Sequence, residues 1–459
     1  MRYLDSAKNA RREETKMSEP ITISSLKVFI KKPKIHVVSF GCQMSFADSS
    51  EMAQSFLDKG FSSGESLETA DAVVISTCTV RQHAEDRAIS FIGRLRKWKK
   101  QKPHRLLVVA GCAAERLGPK LKERFPHVDL VIGAKSIESF SKIIEDVLSE
   151  KFDLASESAT DFPQTPISTQ GAAACDFVTI MRGCNYSCSY CIVPSVRGRE
   201  KYRPVQIIIE EVISKIEAGV KEITLLGQTV NSYQSEYQGK TVKFPELLRI
   251  LDETKGLKRL RFMSPHPYYV TKEMISVFRD CPTVCNYLHL PLQSGSNRIL
   301  KMMRRNYTRE LFMEKILMLK SELPNLVLST DIIVGFPTET ETDFDETLSL
   351  IKDFQPAWIY SFKYSPRPGT LSSTENPDDV PSAVKEERLA RLNNLAREIG
   401  RKALQGKVGQ TVEVLEENEN FGRTRDGFKV KWKGGDKSVG EVHSVKIVDA
   451  SDFLLIGEK

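Results

Sequence analysis

The apolar residues of this chain fall into short continuous runs separated by longer amphipathic stretches. In the first third, residues 35–40 (IHVVSF), 72–76 (AVVIS) and 106–110 (LLVVA) are rich in β-branched side chains and bounded by polar ones. Runs that are apolar on both faces predict parallel strands buried on both sides. Helical periodicity occupies residues 48–59, 81–99 and 119–125 between them, and a strand at 128–132 and a helix at 137–150 follow. Such alternation of strand and helix predicts an α/β domain built on a doubly wound parallel sheet. Residues 151–174 (KFDLASESATDFPQTPISTQGAAA) have no period and are rich in Ser, Thr, Ala and Pro, the composition of a linker.

From residue 176 the alternation resumes. Strand-like runs at 177–181, 222–226, 259–262, 287–290, 326–333 and 359–364 are separated by helical stretches such as 206–218, 244–253, 272–279, 309–319 and 341–354. Six βα units predict a partial (β/α)6 barrel, whose chemistry belongs on the loops at the strand carboxyl ends. An amphipathic helix at 381–406 then leads into short strands with turn residues between them, a small β-barrel. The expected organisation is a disordered leader at 1–32, a first domain at 33–150, the linker at 151–174, the partial barrel at 175–405 and the small barrel at 406–459. The leader mixes Arg and Lys with Asp and Glu, which fits neither a secretory nor an organellar signal, and Met17 stands as an alternative start. No apolar run approaches the ~20 residues of a membrane span.

Composition changes this picture little: 459 residues, 40% hydrophobic and 28% charged, describe an ordinary globular protein of two or three domains. Charge changes it more. The net +7 is concentrated in residues 81–105, where Arg81, Arg87, Arg94, Arg96, Lys97, Lys99, Lys100, Lys102 and Arg105 face only Glu85 and Asp86. With Trp98 among the bases, the run reads either as a solvated helix face or as a contact for a phosphate backbone. In the small barrel Arg423, Arg425, Lys429, Lys431, Trp432 and Lys433 interleave basic and aromatic residues, a pattern suited to RNA; a solvated sheet face is the alternative.

The cysteines carry the chemistry. Nine of them, an odd number at scattered spacings, do not make a secreted disulfide framework and fit a reducing cytoplasm with metal ligation. The segment MRGCNYSCSYCIVP at 181–194 holds Cys184, Cys188 and Cys191 as C-x3-C-x2-C, a claw for a soft metal or an iron–sulfur cluster. A structural zinc site wants four ligands; three thiolates leave one iron of a cubane open. Each of the first three strands also ends in a cysteine, Cys42, Cys78 and Cys112. Strand carboxyl ends share one edge of an open parallel sheet, so these thiols should converge into a second three-thiolate site. Cys175 has no partner at ligand spacing and the pair Cys281/Cys285 has no third, so these read as structural.

These motifs resemble those of the methylthiotransferases, radical S-adenosylmethionine (SAM) enzymes. The resemblance spans residues 35–459 and rests on GCQMSFADSSEMA, STCTVRQHAEDRA, GCAAERLG, MRGCNYSCSYCIVPSVRGRE, ITLLGQTVNSY, LHLPLQSGSNRIL, STDIIVGFPTET and FKYSPRPGT, with a C-terminal barrel that looks like the family's RNA-binding TRAM domain. Gln43-Met44 and the stretch 80–87 fit the branch that adds a methylthio group to C2 of N6-isopentenyl (dimethylallyl) adenosine beside the tRNA anticodon. The branches acting on threonylcarbamoyl-adenosine or on a ribosomal protein are the alternatives, and a non-catalytic iron–sulfur RNA-binding protein is the rival of another class. Ser45 and Ser76 depart from the family's usual Asn, which implies altered hydrogen bonding near the first cysteine set. The resemblance implies two 4Fe–4S clusters. One, on Cys184, Cys188 and Cys191, would chelate SAM; the other, auxiliary, on Cys42, Cys78 and Cys112, would carry the sulfur that one SAM methylates before transfer. It also implies a tRNA anticodon stem-loop as partner and an electron donor such as flavodoxin or ferredoxin, for a cytoplasmic monomer. Gln228, Asn231, Ser294, Arg298 and Glu339, at strand ends, are expected near SAM or the target base. His266 is a candidate for a polar contact, His289 reads as structural, and Arg197 and Arg199 suit tRNA phosphate or a carboxylate.

Overall fold

The computed structural model describes residues 28–29, 32–153, 174–434 and 438–459. The expected leader and linker lie almost wholly outside the described residues; at their edges Val28–Phe29 pairs in parallel with Phe152–Asp153.

Five parallel strands form the first sheet, in the spatial order Ser62–Ser63, Lys34–Ser39, Ala72–Thr77, Leu106–Gly111, Leu130–Gly133. Ala72–Thr77 and Leu106–Gly111 are buried along their whole length, which is why their apolar runs are continuous. Alternate side chains feed two cores. Ala72 and Val74 pack with Phe56 and Phe140, while Val73 and Ile75 pack with Ile92, Leu95 and Trp98. The sheet is therefore doubly wound. Strand order reverses between Lys34–Ser39 and Ala72–Thr77, and such a switch point opens a crevice at the strand carboxyl ends. Cys42 and Cys78 follow those two strands.

Six parallel strands then run in sequential order: Cys175–Thr179, Glu222–Leu226, Arg259–Phe262, Tyr287–His289, Val327–Val334 and Trp358–Lys363. A parallel bridge between Leu260 and Val284 joins the third to the fourth. Leu328, Ile332 and Val334 pack outward against helix residues such as Phe312, Ile316, Phe344 and Ile351. The register places Ser329, Asp331 and Phe362 with Tyr287, His289 and Tyr360 on the opposite face, which lines the lumen. This is the expected partial barrel, open between its first and sixth strands. The first domain grips it beyond both edges. Arg182, after the first strand, pairs with Asp48 and Glu51, and Arg367, after the sixth, donates to the Val80 carbonyl (3.2 Å) and to the Gln82 side chain.

The helix Ser382–Gln405 leads to a closed barrel of five strands. Two arginines of the third strand bind it to the partial barrel. Arg259 donates to the Arg423 carbonyl (2.6 Å) and to Glu413 (2.9 Å); Arg261 donates to the carbonyls of Thr424 (2.8 Å) and Arg425 (2.9 Å) and to Glu222 (2.8 Å). Trp358 packs on Phe428 with ring centroids 4.7 Å apart.

Two expectations about nucleic-acid surfaces need correction. Trp98 is buried, its Nε1–H bonded to the Leu67 carbonyl and Arg105 stacked over its ring, so this aromatic belongs to the core. The helix Gln82–Gln101 still exposes Arg87, Arg94, Arg96, Lys97 and Lys100. Trp432 likewise points into the small barrel, because residues alternate sides along a strand; its neighbours Lys429, Lys431 and Lys433 face solvent. Arg425 is engaged with the carbonyls of Val284 (3.2 Å) and Pro282. The outward faces are basic, and the aromatics on them are Phe421, cross-strand from Lys431, and the half-buried Phe91 under Arg94, not the two tryptophans.

Arg261→Ala should leave the Glu222 carboxylate buried without its closest partner and destabilise the chain by about 3–5 kcal/mol. Urea unfolding measures the loss, and limited proteolysis should release the C-terminal barrel early. An unchanged midpoint with the barrel equally protected contradicts the anchoring role.

Candidate iron–sulfur and cofactor site

The first cysteine set converges as the sheet topology requires. Gly41 makes the approach possible: a Cβ there would lie 2.6 Å from Cys78 Cβ, so only glycine lets the two loops meet. The Cys42 thiol is pulled down to about 5 by a hydrogen bond with Cys78, helped by the Ser45 backbone and Arg197. Cys78 is pushed up by the same bond and by burial, and burial pushes Cys112 up. Ser45 Oγ lies 3.8 Å from Cys42 Sγ, and Ser76 Oγ donates to the Ser45 carbonyl at 3.1 Å. Ser45 and Ser76 thus form one small network beside Cys42.

The claw is held from several sides. Gly183 N–H donates to Gln228 Oε1 (2.5 Å), and Cys184 N–H to the Gly198 carbonyl (3.1 Å). Thr229 Oγ1 lies 3.5 Å from Cys184 Sγ, and Arg305 Nη1 donates to Cys188 Sγ at 3.3 Å. Burial pushes Cys184 up and Cys191 up to about 12, so a bound cation must supply the stabilisation that burial withholds from the thiolates. Tyr186, inside the claw, stacks on His266 at 4.2 Å and 12°. Burial holds His266 down to about 3. It is therefore neutral, and because Tyr268 N–H donates to its Nδ1 (3.2 Å), the proton belongs on Nε2, which is buried without a partner.

The other strand-end residues fall into two groups. Gln228 and Asn231 support the claw region; Asn231 clamps the His266 backbone, accepting from its N–H (2.8 Å) and donating to its carbonyl (3.0 Å). Ser294, Arg298 and Glu339 are engaged with the protein itself. Ser294 Oγ accepts from Ser296 N–H (3.2 Å), and Arg298 forks onto Asp343 and the Thr338 carbonyl (2.6 Å). Glu339 braces its own loop through Gly335 N–H (2.6 Å) and Arg388 (2.9 Å), while burial pushes its carboxyl up to about 7. His289 is satisfied as expected, with Nδ1 2.8 Å from Ser329 Oγ and Nε2 3.3 Å from Asp331. Cys281 and Cys285 are buried structural thiols.

Arg197 and Arg199 part company. Arg199 is exposed, whereas Arg197 is buried and donates to Asp48 Oδ2 at 2.7 Å. Of its two expected partners, phosphate is excluded by burial and the carboxylate is observed. Asp48 also pairs with Arg182. Burial opposes its ionisation, but Arg197 and Arg182 outweigh that and hold the carboxyl below the usual range. This junction draws the two thiol sets together, and Cys112 packs with Ile192 and Val196 just beyond the claw. Sequence reasoning missed it, although a signal existed: Asp48 lies four residues from both Met44 and Met52, on the helix's buried face. Arg305 and Tyr186–His266 left no comparable sign.

The donor sets fit iron–sulfur clusters. Among the described residues no three His, Cys, Asp or Glu side chains stand close enough to hold a single metal ion. A cluster brings its own iron and sulfide and bridges wider gaps between thiolates, and the unpartnered Arg197 Nη1 beside the first set awaits an acceptor.

Comparison with known proteins agrees with this geometry. Residues 178–351 match the family model described as Radical SAM superfamily, and residues 34–133 match Uncharacterized protein family UPF0004. A tRNA-2-methylthio-N(6)-dimethylallyladenosine synthase from Protochlamydia amoebophila is 39% identical over 96% of this chain and 98% of its own length. The corresponding protein of Aquifex aeolicus is 36% identical over 93% and 98%. The solved structure of the radical S-adenosylmethionine methyltransferase TsrM from Kitasatospora setae superposes with a TM-score of 0.53 at 14% identity, over 75% of this chain and 78% of that one, a likeness of fold. With the claw, the second thiol set and relatives matched over nearly their whole length, the chain belongs to the tRNA-2-methylthio-N(6)-dimethylallyladenosine synthase family within the radical SAM superfamily.

Proposed function

We propose that this protein transfers a methylthio group to C2 of N6-isopentenyladenosine beside the anticodon of tRNA. The observation that supports this reading is two separate sets of three free cysteines on either side of one buried salt-bridge network. When bound, a 4Fe–4S cluster on the claw and SAM would supply a radical able to remove the unactivated C2 hydrogen, and a second cluster would supply the sulfur.

The chain's own residues do the rest. Cys184, Cys188 and Cys191 would hold the SAM-binding cluster, and Cys42, Cys78 and Cys112 the auxiliary one. Arg305 donates to Cys188 and Thr229 lies beside Cys184, contacts that orient the ligand sulfurs. Gln228 fixes the turn before Cys184, and Asn231 fixes His266 in the same mouth. In the lumen, Tyr360 and Phe362 are 46% and 37% exposed beside Asp331. Exposed rings suit stacking by an unstacked base. A neighbouring carboxylate favours a neutral, apolar N6 substituent over threonylcarbamoyl, which bears a carboxylate of its own. The exposed lysines and arginines of the first domain and the small barrel would meet the RNA backbone. Ligating thiolates need a reducing compartment, so the reading includes the cytoplasm and a low-potential electron donor such as flavodoxin or ferredoxin.

Mass analysis of tRNA nucleosides tests the substrate. A deletion strain should retain isopentenyladenosine and lose its methylthio derivative, with restoration by the intact gene and not by a Cys184→Ala version. Persistence of the methylthio derivative in the deletion strain sinks the assignment. Anaerobically reconstituted protein should lose about half its iron on either Cys184→Ala or Cys112→Ala. Cys184→Ala should also abolish deoxyadenosine formation while the auxiliary cluster's EPR signal remains. Loss of all iron from either variant argues against two independent clusters.

A further inference from the structure

Between the two thiol sets lies a buried cation that ligation alone does not explain. Arg197 ends the short helix Val193–Arg197, which starts two residues after the last claw cysteine, and its side chain is only 4% exposed. Nη2 is engaged with Asp48. Nη1 is buried with no hydrogen-bond partner, and a dry, unmade bond from a charged donor is more costly than one from a neutral donor. Asp48 already has Arg182 as a counter-charge, so neutralising this carboxylate does not require a second arginine. What surrounds the unpartnered side is sulfur. Val196, on the Arg197 helix, and Ile192, its N-cap, pack against Cys112. The helix Cys112–Leu117 runs alongside, and Cys112 and Cys42 are near neighbours of the guanidinium.

Resting on the reading that Cys42, Cys78 and Cys112 hold a 4Fe–4S cluster, we infer that Arg197 Nη1 donates a hydrogen bond to a sulfur of that cluster and thereby sets its reduction potential. A positive donor at a cluster sulfur stabilises the reduced, more negative state and raises the potential. Arg197 is thus a positioning and tuning residue of the sulfur-carrying site, delivered by the segment that also forms the claw. One short helix ties the radical site to the electronic state of its neighbour.

The test is an EPR-monitored redox titration of the full chain, reconstituted anaerobically, with Cys184, Cys188 and Cys191 all changed to Ala so that only the auxiliary cluster reports. Arg197→Gln should lower the midpoint potential, and Arg197→Lys, which keeps the charge, should fall between Gln and the parent. Arg182→Gln disturbs the same Asp48 without bearing on the thiols and should leave the midpoint where it was. Cluster loss in Arg197→Gln with retention in Arg182→Gln also supports the contact. The inference is overturned by an unshifted midpoint in Arg197→Gln, by equal shifts in Arg197→Gln and Arg182→Gln, or by cluster loss from both. Absence of any cluster from the triple-Ala parent is a separate result; it defeats the two-cluster reading, and this inference with it.

Discussion

The placement of the two thiol sets relative to one another depends on one buried carboxylate. Asp48 stands on the first helix of the N-terminal domain and receives Arg182 from one flank of the claw and Arg197 from the other. All three side chains are almost fully buried, and taking charges out of water is favourable only when the pairing is complete. Removing Asp48 would strand Arg197, whereas loss of either arginine leaves the carboxylate one counter-charge; centred on that carboxylate, the junction has a defined position and does not slide as an apolar interface might. Two thiol sets built on different domains take their relative position from it.

Around the claw, the protein solves a different problem. Burial disfavours the thiolate form of Cys184 and Cys191, while the chemistry requires thiolates. Arg305 and Thr229 place donors at two of the three sulfurs. His266, kept neutral by burial, stacks on Tyr186 and adds polarity beside the claw without adding a charge. The site is polar where it touches sulfur and aromatic where it opens.

Much of this was legible in the sequence. Continuous apolar runs marked the buried strands because Ala72–Thr77 and Leu106–Gly111 are covered on both faces, and strand ends marked the cysteines because a parallel sheet aligns them. The order of the βα units was legible for the same reason. What periodicity could not reveal was partnership across domains. Arg197 reads the same whether it faces RNA or Asp48, and Arg259 and Arg261 look like ordinary strand charges until their carbonyl acceptors, more than a hundred and fifty residues away, are seen. The two tryptophans misled because an aromatic among lysines suggests a stacking platform, whereas the alternation of strand faces and the burial stripe of a helix put Trp432 and Trp98 inside. Ser294 and Glu339 sit at strand ends as expected, where they accept from Ser296 N–H and Gly335 N–H.

The paired grips of the first domain on the partial barrel carry a mechanical consequence. Six staves do not close a cask, and nothing in the backbone ladder fixes how far apart the first and last should stand. Arg182 and Arg367, at the tops of those two staves, are both fastened to the same neighbouring domain, which therefore acts as the hoop. The width of the seam is set by the body that carries the second thiol set. A substitution that loosened the hoop would change at once the width of that seam and the separation of the two thiol sets, so the two are not free to vary independently.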